Sequence, residues 1–96
     1  MLLLITYDVC TQTKSGKKRL AKVAKICCNY GQRVQNSVFE CDLDSSLYVL
    51  VKDKLLKTID FEEDSIRFYN LGKNYNAKIE EYGTKKAYDP EGTLIL

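Results

Sequence analysis

Asp8 closes the apolar run of residues 1–7, Met-Leu-Leu-Leu-Ile-Thr-Tyr. A carboxylate placed where a buried strand reaches the surface is held by the sheet. It is also the hard oxygen donor that Mg²⁺ takes, with waters filling the rest of its shell. Local sequence leaves a second role open, because a strand-end Asp also serves as a turn or capping residue. The chain has no His and no Ser or Cys beside a suitable base, which argues against a nucleophile–base triad and leaves a carboxylate with a metal. One carboxylate per chain is a thin site. A twofold axis near Asp8 would bring two carboxylates together, and they would repel unless a cation lay between them. The residues thus point to a metal shared across a homodimer, where it would lower the pKa of a bound water and stabilise charge on a phosphodiester.

The charges around Asp8 are segregated. No acid occurs between Asp8 and Glu40, whereas seven bases do: Lys14, Lys17, Lys18, Arg19, Lys22, Lys25 and Arg33. From Glu40 onward the balance reverses, with twelve acids against eight bases. The net charge of +2 therefore conceals one strongly basic third. Clustered cations of this kind suit a polyanion, since each neutralised phosphate releases counterions. A merely solvated helix face is the plainer alternative. Arg19 and Arg33 differ from the lysines because a planar guanidinium can grip a phosphate through two parallel bonds, although either could equally form an ordinary ion pair.

These residues need elements to position them. Residues 1–7 have the length and apolarity of a central strand buried on both faces. The polar loop 9–16 follows, where Thr13 or Ser15 could cap a helix running to about Tyr30. At about 100° per residue, Leu20, Val23, Ala24 and Cys27 share one face of that helix, and Lys14, Lys18, Lys22 and Lys25 form a stripe opposite. Gly31 suits a left-handed position after the helix. Residues 32–43 alternate as a strand, either one kinked strand or two joined by a turn at Asn36 and Ser37. Phe39 on that stretch reads as core rather than as a platform for stacked bases.

Asp44, Ser45 and Ser46 open a second helix through Ile59, with Leu47, Val51, Leu55 and Ile59 as its buried stripe and its acids and lysines toward water. An acidic connection over 60–64 leads to a strand over 65–71 with Ile66 and Phe68 on one face. A short strand is expected near 77–82, then a turn-rich stretch containing Pro90 and Gly92. The order predicts an α+β fold: a ferredoxin-like sandwich, an antiparallel sheet with two helices on one face. Residues 1–82 form the domain, and 83–96 form a tail whose apolar end, 93–96, is a candidate docking strand.

A chain of 96 residues supports one small core, and so small a core gains from burying further surface in an oligomer. With no basic n-region, no cleavage site and no apolar run of spanning length, the expectation is a soluble cytoplasmic protein that meets no membrane. Cys10, Cys27, Cys28 and Cys41 lack paired metal-site spacing and are expected as buried, reduced thiols.

Residues 3–8 ending in Tyr7-Asp8, the helix with Arg19-Leu20, and the run Gln32-Arg33-Val34-Gln35-Asn36-Ser37-Val38-Phe39-Glu40-Cys41 together resemble the small CRISPR-associated Cas-two family. The likeness continues through Ile66-Arg67-Phe68-Tyr69 to Leu71-Gly72. Its most specific part is Arg-x-Gln-x-Ser-Val-Phe-Glu.

The resemblance implies a ferredoxin-like homodimer in which each Asp8 faces the other and binds Mg²⁺, with Mn²⁺ as a substitute. It implies that Tyr7, Arg19, Arg33 and Phe39 belong with Asp8 to the catalytic set or the surface around the metal. It implies endonuclease activity on RNA or double-stranded DNA, and a place in spacer acquisition, where the family bridges dimers of the Cas-one integrase and holds the prespacer duplex. It implies that the tail can extend a sheet or contact that integrase by strand addition, which suits residues 93–96. The loop 10–15 lacks the further acid that some relatives carry there. A metal-dependent endonuclease and a non-catalytic nucleic-acid scaffold for the integrase are both consistent with these residues. A ferredoxin-like regulatory or toxin-like domain would leave the basic segment unexplained.

Overall fold

The computed structural model describes residues 1–72 and 78–83. Its first strand, β1 (Leu2–Asp8), buries Leu3, Ile5 and Tyr7 on one face and leaves Leu2, Leu4, Thr6 and Asp8 on the other. Here the structure differs from the sequence expectation: β1 is central, but among the described residues only one of its faces is covered. Leu2 is 41% exposed, because the helices pack against the side of the sheet that carries Leu3, Ile5, Phe39, Cys41, Ile66 and Phe68.

Helix α1 (Lys14–Cys28) is capped by Thr13, whose side chain accepts from the Gly16 N–H. Thr13 and not Ser15 is the cap, and the helix ends at Cys28 before Tyr30. Val23, Ala24 and Cys27 enter the core with Leu20 at its edge, as the helical spacing predicts. Gly31 opens the next strand and is not left-handed; a side chain there would strike the Glu40 carbonyl oxygen at 1.9 Å, so close strand approach is what requires the glycine.

Residues 32–43 resolve into a hairpin of β2 (Gly31–Gln35) and β3 (Val38–Asp42), turning at Asn36 and Ser37, with a register shift between Arg33 and Gln35. Helix α2 (Ser45–Thr58) is capped by Asp44 and buries Val51 and Leu55, with Ile59 following. Leu47 does not join them. It is 37% exposed, and Tyr48 turns inward instead, its ring edge against Phe68 at 5.9 Å. Lys52 does not face open water either; its Nζ lies 2.9 Å from Glu80 Oε1, which also accepts from the Tyr48 hydroxyl.

Strands β4 (Ser65–Asn70) and β5 (Lys78–Gly83) complete an antiparallel sheet in the order β2-β3-β1-β4-β5. The first four strands have the split βαβ arrangement of a ferredoxin-like fold, and β5 extends the β4 edge. Cys27 and Cys41 are buried, whereas Cys10 and Cys28 are exposed, so only two of the cysteines are the core thiols expected. The stretch with Pro90 and Gly92 and the docking strand over 93–96 lie outside the described residues. No helix among the described residues is long and apolar enough to cross a membrane.

Candidate functional site

The sheet brings one set of segments to a single end. Asp8 is the last residue of β1 and pairs in register with Ser65, the first of β4, which in turn pairs with Gly83 at the close of β5. The β2–β3 turn reaches the same end, because the Tyr7 N–H donates to the Ser37 carbonyl oxygen at 2.9 Å. Loop 9–13 returns from Asp8 into the start of α1. Asp8 is therefore presented, exposed, at the rim where four segments meet.

Beneath that rim lies a carboxylate that the sequence places at the end of the acidic connection over 60–64. Asp64 is fully buried. Its Oδ2 accepts from the Tyr7 hydroxyl at 2.5 Å, from Arg19 Nε at 2.8 Å and from the Asp60 N–H at 3.0 Å. Its Oδ1 accepts from Arg19 Nη2 at 3.1 Å, so the guanidinium holds the carboxylate through both oxygens. Burial by itself pushes the Asp64 carboxyl up. The Arg19 guanidinium, the Asp60 N–H and the Tyr7 hydroxyl outweigh it and hold the group below the usual carboxylate range. Tyr7 is pushed well above the ordinary phenol value, by burial first and then by the Asp64 charge it faces. Gly83 sits against this cluster with φ +118, where a side chain would strike the Asp64 carbonyl oxygen at 1.9 Å.

The site residues read from the sequence thus part company. Arg19 is spent on Asp64 with little exposure of its own. Phe39 is fully buried, and its ring is covered by the Arg33 guanidinium at 5.6 Å. Arg33 is exposed, and its Nε donates to the Asn36 carbonyl oxygen at 2.8 Å, which fixes it beside the hairpin turn. Lys14, Lys17, Lys18, Lys22 and Lys25 are all exposed. From Lys14 to Lys25 the helix rises about 16 Å, so the stripe starts at the Asp8 end and runs away from it.

Asp8 has the parity of the open sheet face, while the lysine stripe lies outside the helix layer. The two meet only around the end of the sheet, across loop 9–13. Among the described residues no three acids or cysteines form a metal-holding group. Asp64 was the residue the sequence reading missed. The signal for it was indirect: an inward-facing Tyr7 and an Arg at the margin of the buried helix face both need a partner.

A family model described as "CRISPR associated protein Cas2" matches residues 1–79. The chain belongs to the Cas2 family. It is 57% identical over 96 residues to the CRISPR-associated endonuclease Cas2 of Halalkalibacterium halodurans, with all of both chains covered. It is 53% identical over 96 residues to the CRISPR-associated endoribonuclease Cas2 of Chlorobaculum tepidum, again over the whole of both. The crystal structure of Streptococcus pyogenes Cas2 at pH 6.5 is similar with a TM-score of 0.74 and 57% identity, covering 78% of this chain and 90% of that one. The family and the ferredoxin-like α+β fold expected from the sequence are both borne out.

Proposed function

We propose that this Cas2-family chain is a metal-dependent endonuclease acting in spacer acquisition, and that it works as a homodimer. The observation that carries this reading is the exposed Asp8 at the end of a central strand, with exposed lysines beginning on the adjacent helix. Two relatives named endonuclease and endoribonuclease, each matched over its full length, support the reaction class. The donor chemistry of Asp8 fits Mg²⁺, with Mn²⁺ as a substitute, and pairing across a twofold axis gives the ion two carboxylates. When bound, the metal supplies an activated water and neutralises charge on the phosphodiester. The chain's own residues do the rest. Lys14, Lys17, Lys18, Lys22, Lys25 and Arg33 hold phosphates, and Asp8, anchored by its ladder, presents oxygen at a fixed point. RNA and double-stranded DNA both meet these requirements, since the grip is to the backbone.

A second reading, a nucleic-acid scaffold that bridges Cas-one integrase dimers around a prespacer duplex, is favoured by one observation. Tyr7, Arg19 and Phe39 are turned inward, so the chemistry rests on Asp8 alone. Asp8→Asn keeps the shape and removes the charge. In purified dimer with Mg²⁺, it is expected to eliminate cleavage of RNA and duplex DNA, with affinity changed by less than about threefold because the phosphate contacts lie elsewhere. Cleavage by Asp8→Asn at the wild-type rate, in a preparation free of contaminating nuclease, would make the scaffold the better account.

A further inference from the structure

The buried Asp64 carboxylate is bonded to β1, to α1 and to the turn before β4, three of the segments around Asp8. Tyr7 is the residue before Asp8. Ser65, next to Asp64 in sequence, is Asp8's ladder partner. Arg19 lies on the helix that receives loop 9–13, and the Asp60 N–H ties in the turn before β4. Tyr7 and Arg19 stand 57 and 45 residues from Asp64 in sequence, so these ties join parts of the chain that meet only in the fold, and they add to the backbone bonds that already hold the end of β1. The Tyr7 hydroxyl and the Arg19 guanidinium point at the same buried oxygen, on the side of the sheet away from the face on which Asp8 emerges.

We propose that Asp64 is the positioning residue of the Asp8 site, and that Tyr7 and Arg19 serve the reaction through Asp64 and make no contact with substrate. This rests on the nuclease reading for its catalytic consequence. Its structural consequence stands apart from that reading: loss of any of the three should loosen the end of β1 while leaving the middle of the strand intact. A displacement on the order of 1 Å at a reacting group lowers turnover steeply even when affinity is unchanged.

The test uses Tyr7→Phe, Arg19→Lys, Asp64→Asn and their pairwise combinations in the full chain. Readouts are amide hydrogen exchange, and kcat and KM for Mg²⁺-dependent cleavage, taken well below each variant's unfolding temperature. Tyr7→Phe is expected to speed exchange at the Tyr7 and Asp8 amides about tenfold, with Leu4 and Ile5 unchanged. A loss of global stability alone would instead speed the slowest core amides together. In the kinetics, kcat should fall about tenfold with KM steady, and Tyr7→Phe added to Asp64→Asn should cost nothing further.

Should Asp64→Asn fail to fold, the pair of Tyr7→Phe and Arg19→Lys carries the same test, with a combined loss smaller than the product of the single losses. Fully multiplicative losses, or exchange at Tyr7 and Asp8 unchanged from wild type, would overturn the proposal. If the wild type cleaves nothing, the nuclease reading falls and exchange alone decides. Accelerated exchange confined to the end of β1 then upholds the positioning role, and unchanged exchange removes it.

Discussion

Helix α1 carries two kinds of basic residue, and burial separates their uses. Arg19 sits at the margin of the apolar face, where its guanidinium meets a carboxylate already removed from water, and two bonds fix it there. The lysines of the stripe stand on the opposite side with their ammonium groups in solvent. A desolvated charge cannot lose its partner cheaply, whereas an exposed one costs little to leave unpaired and remains available to a polyanion. On the proposed reading the same helix contributes stability with one face and affinity with the other, and sequence proximity among Lys17, Lys18 and Arg19 says nothing about which residue does which.

The largest effect should come from the stripe. Replacing Lys18, Lys22 and Lys25 together by Glu reverses the charge facing the phosphates and should weaken binding to duplex DNA at low salt by about 1,000-fold. Thermal unfolding should change little, because these side chains are exposed. Wild-type affinity in the folded triple variant would move the interface elsewhere and undo the division drawn above.

A smaller effect, on stability, is expected from the other face. Asp64→Ala should lower the unfolding free energy at pH 7 by about 3 kcal/mol, at the low end for a broken buried pair because Arg19 can reach water at its edge. The carboxyl of Asp64 is held below its unfolded value. Its contribution is therefore present in full above about pH 4 and is lost as pH falls through the lower folded value. Urea unfolding of wild type and variant should accordingly differ most near neutrality and converge below pH 4. A gap that does not narrow at all as the pH is lowered below the unfolded value would mean that packing, rather than charge, accounts for the loss.

Much of the fold was legible because its signals are periodic. Alternation in residues 65–70, and helical spacing of Val23, Ala24 and Cys27, each record one element facing one core, whereas the unbroken apolar run at the start of β1 hid which of its faces is buried. The polar partnerships were not legible, since they join residues far apart in sequence. Asp64 looks like the last of a run of surface acids, and only the chain's return brings Tyr7 and Arg19 to it. Lys52 and Glu80 are hidden in the same way, by a contact between α2 and β5. For the inner stripe of α2, spacing could not choose between Leu47 and the neighbouring Tyr48; the position of Phe68 made the choice. At the candidate site, the exposure of Asp8 and the lysines was legible from type and position, while the inward direction of Arg19 required the fold.

The division of labour on α1 is tested most directly by measuring duplex affinity and unfolding temperature side by side for Arg19→Met and Lys22→Met. Each change removes one charge and keeps an apolar stem. Arg19→Met should lower the unfolding temperature by several degrees, about 5 °C or more for a domain of this size, and leave affinity within about twofold. Lys22→Met should do the reverse, weakening binding by about threefold to tenfold at low salt without moving the unfolding temperature. Equal losses of affinity in the two variants would contradict the account, because Arg19 would then be reaching phosphate in spite of Asp64.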